Sequence, residues 1–118
     1  MPNHHYDWIK IAESEAELSF KENNIAEITT GERTICIAKH EQQLYAFAAK
    51  CPHASAFFIN GYVDALGNVV CPLHHYKFSI KNGRNVSGEG YLLKQWPVEK
   101  REDGIYVGFS KLSGLYNL

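Results

Sequence analysis

Apolar and polar residues alternate along most of this chain, in short runs broken by turn-forming residues. Tyr6–Ile11 alternates and is rich in β-formers, which predicts a strand. Glu13–Leu18 is rich in Ala and Glu and predicts one helical turn. Ile25–Thr30 and Arg33–Lys39 alternate on either side of Gly31-Glu32, the pattern of a hairpin. Glu41-Gln42-Gln43 turns the chain into a strand over Leu44–Ala48, and Gly67-Asn68 leads into a short one at Val69-Val70-Cys71. Phe78–Lys81 runs into Asn82-Gly83, a strong hairpin turn because both residues tolerate positive φ. Gln95–Arg101 reads as one alternating strand, Asp103-Gly104 turns, and Ile105–Phe109 returns. The tail from Ser110 is expected to be loosely held.

Short strands at regular spacing predict an all-β fold, an antiparallel sandwich or barrel. There is no internal repeat, low-complexity tract or linker, so residues 1–118 are expected to form a single domain. Two segments fit no strand pattern, Lys50–Asn60 and Pro72–Lys77, and both carry Cys and His. Loops placed by a rigid scaffold are where sites tend to sit.

Charge narrows the choice. Twelve Lys+Arg against thirteen Asp+Glu leave a net charge of −1, without the positive stripe that binding nucleic acid or an anionic membrane by charge would need. No apolar run reaches the roughly 18 residues of a transmembrane helix. The start, Met1-Pro2-Asn3-His4-His5, lacks the basic and apolar regions of a signal peptide. The expectation is a soluble, cytoplasmic protein. Three cysteines are an odd count for a disulfide scaffold, and a reducing compartment disfavours one.

The two loops supply the chemistry. The first reads Cys51-Pro52-His53 and the second Cys71-Pro72-Leu73-His74. Each proline fixes its own φ and pushes the cysteine before it toward extended geometry, stiffening the loop where that cysteine leaves its strand. Three readings fit: a [2Fe–2S] cluster with two thiolates on one iron and two imidazoles on the other, a structural Cys₂His₂ zinc, or no metal. Cys-x-His is tight for two ligands of one zinc, where two to four intervening residues are usual. It suits a binuclear cluster better, because Cys and His of one loop can reach different irons.

Cys51-Pro52-His53-Ala54 through Cys71-Pro72-Leu73-His74 resembles the Rieske-type [2Fe–2S] ferredoxin signature. Asn60-Gly61-Tyr62-Val63-Asp64 and Gly67-Asn68-Val69-Val70 are similar to the family's connection between its loops, and the specific likeness covers roughly residues 44–86. It implies Cys51 and Cys71 on one iron, His53 and His74 on the other, in a cluster-binding subdomain at about 49–86. The protein would then be an electron carrier and not an enzyme, a ferredoxin passing single electrons from a reductase to a terminal oxygenase or similar acceptor, monomeric when free. The alternative is a small electron-transfer subunit of a larger reductase, resembling the small subunit of nitrite reductases. A zinc-stabilised binding module ranks below both.

The resemblance also bears on the potential. The positions of the respiratory subgroup's loop-joining disulfide hold Ala56 and Leu73. The positions of its two hydroxyls hold Tyr76 and Phe78. Without those hydrogen bonds to sulfur, the expected potential is at the low end of the Rieske range, roughly −150 mV. That potential is expected to fall with pH once the His53 and His74 ring protons are lost from the oxidised form. After His75 no histidine remains for the 2-His-1-carboxylate iron site of an oxygenase. Three positions depart from the family: Ser55 and His75, where glycine is usual, and the cover near Gly88-Glu89-Gly90-Tyr91-Leu92-Leu93, whose two glycines suggest a looser covering.

Other candidates read more plainly. Cys36 is expected to be a packed core thiol. His40 is expected at the surface beside Glu41, and His4 and His5 belong to the N-terminus. Phe57, Phe58, Tyr62 and Trp96 are expected in the core, the two phenylalanines also shielding the cluster. Lys50, Lys77, Lys81 and Arg84 flank the loops as a solvated face that would favour an acidic partner.

Overall fold

The computed structural model describes residues 6–31, 33–53 and 55–110. His4, His5, Ala54 and the tail beyond Ser110 lie outside the described residues. Ten strands follow in order: β1 (Tyr6–Ala12), β2 (Ile25–Thr30), β3 (Arg33–His40), β4 (Gln43–Ala48), β5 (Tyr62–Val63), β6 (Asn68–Val70), β7 (Lys77–Ser79), β8 (Gln95–Trp96), β9 (Val98–Arg101) and β10 (Gly104–Ser110). Two 3-10 turns, Glu15–Glu17 and Phe58–Asn60, complete the elements among the described residues. The fold is all-β and its strand pairs are antiparallel, as the alternation predicts.

Contacts divide the chain into two units. The first joins residues 1–18 to 96–118 and carries the sheet β1-β10-β9. Tyr6 lies opposite Ser110, and the register slips between Lys10 and Ala12, a bulge that bends β1. Within this unit the Arg101 guanidinium stacks on the Tyr106 ring at 4.1 Å and on Trp8 at 5.4 Å.

The second unit, residues 19–95, holds the candidate site. Its four-stranded sheet has the order β2-β3-β4-β8 and its three-stranded sheet the order β5-β6-β7. Inward residues of both, including Ile25, Cys36, Phe47, Val69 and Phe78, join Phe58 in one buried apolar cluster. The rings of Phe47, Phe58 and Phe78 meet edge to face at 5.8 and 6.0 Å, the geometry aromatic quadrupoles favour.

Three sequence expectations need correction. Gln95–Arg101 is two strands, because Pro97 has no N–H for a ladder; its carbonyl instead accepts from Gly108 at 3.0 Å. After the turn at Asn82-Gly83 the chain returns only as single bridges, Phe78 to Asn85 and Arg84 to Leu92. Tyr62 is exposed rather than core, lying on the two-residue strand β5.

Candidate metal centre

Two loops of like construction leave the strands of the second unit. In the first, the Cys51 N–H donates to the Ala56 carbonyl at 2.9 Å, and Lys50 bridges to Phe57. In the second, the Cys71 N–H donates to the Tyr76 carbonyl at 2.8 Å, and Val70 pairs with Lys77. Each cysteine is thus the last residue tied to its strand, and each loop closes on the residue five places later. Both thiols lie in the apolar cluster with Phe58 and Phe78, Cys51 2% and Cys71 0% exposed.

The thiols face each other. Burial pushes the Cys71 thiol up to about 11; the Leu73 N–H opposes the rise, and the hydrogen bond and charge of Cys51 add to it. Without metal the Cys71 thiol therefore keeps its proton at neutral pH, and metal binding replaces a proton that burial already disfavours losing. Cys36 lies on β3 in the same apolar cluster, and its thiol is pushed up to about 12 by burial and then by Glu27. It is the packed core thiol its neighbours predict.

The imidazoles sit differently. His53 is half-buried, and its Nδ1 is buried without a hydrogen-bond partner among the described residues. Its ring meets Tyr76 at 4.1 Å, Tyr91 at 4.8 Å and His74 at 6.4 Å, each near edge to face. His74 is exposed, 5.7 Å from Tyr76. Among the described residues no three His, Cys, Asp or Glu side chains crowd round a single-ion site. The arrangement is a sulfur pair in the core and a nitrogen pair nearer solvent.

Residues 7–97 match the Rieske [2Fe-2S] domain family. The chain belongs to that family. Its cofactor is a Rieske-type [2Fe–2S] cluster and its role is that of an electron carrier, which sets zinc aside. Over 82 residues it is 26% identical to the ferredoxin component of the alkene monooxygenase system of Xanthobacter autotrophicus, spanning 70% of this chain and 67% of that one. Over 91 residues it is 33% identical to nitrite reductase [NAD(P)H] of Emericella nidulans, spanning 70% of this chain but 8% of that much longer enzyme. The fold superposes on the ferredoxin of carbazole 1,9a-dioxygenase from Nocardioides aromaticivorans with a TM-score of 0.71 at 20% identity, covering 85% of this chain and 95% of that one.

The residues present fit a Rieske cluster. A buried imidazole nitrogen with no partner loses water without compensation, and an iron would satisfy it. Two core thiols in mutual contact are the sulfur donors such a cluster takes.

The structure bears on two of the three departures from the family, His75 and the cover. His74 and His75 both have positive φ, +69° and +61°. A glycine after the second histidine would accept that backbone freely, whereas His75 adopts it under strain. His75 is exposed. The cover over His53 is tied down rather than loose. Asn85 Oδ1 accepts from the N–H groups of Gly88 (2.9 Å), Glu89 (2.5 Å) and Gly90 (3.1 Å). Ser87 Oγ accepts from the Lys77 N–H at 2.9 Å. Gly88 and Gly90 have φ of +99° and +87°, so they serve the turn that wraps Asn85.

Sequence reasoning missed how Tyr76 and Tyr91 gather round His53 and how Glu89 is held in the cover. The available signal was the turn-rich run Asn85-Val86-Ser87-Gly88, in which an Asn side chain can hold later N–H groups. His40 is not a free surface residue either. Its ring packs where a Cβ on Gly67 would fall, 3.2 Å from Cδ2 and Nε2. Phe58 is wholly buried beside both cysteines, while Phe57 is exposed. Of the flanking cations, Lys77 approaches Asp64 at 3.8 Å. No helix among the described residues is long and apolar enough to cross a membrane.

Proposed function

We propose that Cys51 and Cys71 hold one iron of the cluster and His53 and His74 the other, and that the chain is a low-potential one-electron carrier. In this reading residues 1–118 act as one Rieske domain whose cluster-binding part spans about 49–86. The family match across residues 7–97, which enters both units, supports that extent. The observation that carries the ligand set is the buried, unpartnered Nδ1 of His53 beside a core dithiol.

When bound, the cluster supplies one-electron redox chemistry. The chain's own residues do the rest. Cys51 and Cys71 hold the sulfur side in the apolar cluster, away from water. The Tyr76 and Tyr91 rings fix the plane of His53. Exposed His74 gives partners a short approach. Leu73, Tyr91 and Leu92 are exposed apolar side chains on the loops and suit a transient contact with a redox protein.

The donor in this reading is a reductase and the acceptor a terminal oxygenase, with the carrier monomeric and cytoplasmic. The ferredoxin likeness supports it. The 33% identity to a stretch of a nitrite reductase favours a second reading, an electron-transfer part of a larger reductase. The deciding experiment is the visible spectrum of purified protein before and after dithionite, with iron and sulfide counts. Two of each per chain and a reddish colour that bleaches support the proposal; one metal per chain, or no sulfide, overturns it. Free carrier and bound subunit separate by whether the native protein purifies alone.

A further inference from the structure

The cover that Asn85 organises does more than shield. We infer that Glu89 is a fixed negative charge held beside the histidine-ligated iron, which sets the cluster potential lower than the ligands alone would. The inference rests on His53 being a ligand.

Four observations carry it. First, the carboxylate is held at both ends of its residue. Asn85 Nδ2 and Ser87 Oγ donate to Glu89 Oε1 at 2.8 and 2.5 Å, while Asn85 Oδ1 accepts from the Glu89 N–H. Second, Asn85 is itself anchored, because Nδ2 also donates to the Lys77 carbonyl at 3.2 Å, next to the second loop. Third, the same turn delivers Tyr91 onto the His53 ring at 4.8 Å, so the cover reaches that imidazole. Fourth, Glu89 is ionised at neutral pH. The Ser87 hydroxyl holds its carboxyl below the usual range against some desolvation, with further help from Asn85 and its own backbone.

Among the described residues no Lys or Arg forms an ion pair with Glu89, and Lys77, the cation on the neighbouring strand, approaches Asp64 instead. Reduction takes one electron from the donor protein, changes one Fe³⁺ to Fe²⁺ and needs no proton. It turns a formally neutral centre into one of charge −1. A fixed carboxylate opposes that extra negative charge. The uncharged partners of the carboxylate place it without neutralising it.

The test is redox titration of the loaded protein with Glu89→Gln, which keeps an acceptor oxygen for Asn85 and Ser87 while deleting the charge. At a fixed ambient potential the ratio of reduced to oxidised cluster should rise roughly two- to threefold at low salt, water screening the exposed carboxylate, and by less at high salt. Glu89→Lys should move it further the same way, and Glu89→Asp should stay near wild type. Equal midpoints for wild type and Glu89→Gln, both fully loaded, overturn the inference. So does loading that fails in Gln, Lys and Ala variants but succeeds in Asp, since the carboxylate then serves assembly. Failure of the ligand reading shows separately, as a His53→Ala protein that keeps the native spectrum and iron content.

Discussion

The two cysteine loops share a frame and differ in what they do with it. Both start from a buried cysteine whose N–H closes on the carbonyl five residues later. Both put their sulfur into the same apolar cluster. Beyond that they part. In residues 51–56 the histidine comes two places after the cysteine and lies half-buried under Tyr76 and Tyr91. In residues 71–76 it comes three places after, and the chain turns through two left-handed residues to bring an exposed imidazole alongside. A repeated backbone closure therefore fixes the sulfur pair, while local turn geometry decides how each nitrogen meets solvent.

The largest test of that contrast removes a sulfur. Cys51→Ser or Cys71→Ser should abolish the cluster, read as loss of visible absorption and of bound iron. His74→Ala should do nearly the same, whereas His75→Ala should keep a loaded cluster. If the two histidine variants behave alike, the one-residue difference between the loops has been misassigned. Next in size is Phe58→Ala, beneath both loops. Emptying that fully buried site should cost about 3–5 kcal/mol, measured by denaturant unfolding, and both cysteines should become reactive to thiol reagents.

A smaller effect of opposite sign should come from His75→Gly. Relief of the left-handed strain should add about 1 kcal/mol and raise the thermal midpoint by a few degrees. A midpoint that falls would mean the His75 side chain makes a compensating contact.

The smallest effect concerns the base of the second loop. Burial raises the Asp64 carboxyl, but Asn68, the Leu66 N–H and Lys77 together hold it below the usual aspartate range. A depressed folded value means the unfolded chain binds protons more readily. The contribution is therefore full above the ordinary aspartate range and disappears as pH falls through the folded value. Asp64→Asn should flatten that acid limb of the stability curve.

Much of this was legible in the chain. Alternation marked the long strands to within a residue or two, although β3 buries Ile35, Cys36, Ile37 and Ala38 in a row and so is covered on both faces. The Cys-Pro pairs stood out since proline chemistry is local. Pro97 was equally visible, yet its effect depends on whether that N–H position faces a ladder, which alternation does not say. The packing of His40 on Gly67 and the gathering of Tyr76 and Tyr91 round His53 were hidden for a different reason. They join residues far apart in sequence, and Tyr91 arrives through a turn whose wrapping depends on one asparagine.

That turn has a narrow neck. The Leu93 N–H donates to the Gly83 carbonyl at 2.8 Å, and a Cβ at Gly83, whose φ is +77°, would fall 2.2 Å from the Leu93 carbonyl oxygen. Arg84 and Leu92 bridge just beyond it. A loop cinched at its stem answers to that one residue, and the Tyr91 ring on His53 and the Asn85 amide on the Lys77 carbonyl both hang from it. A side chain at Gly83 would unlatch residues 84–92 as a whole, so a point distant in sequence from both cysteines governs how the histidine side is roofed.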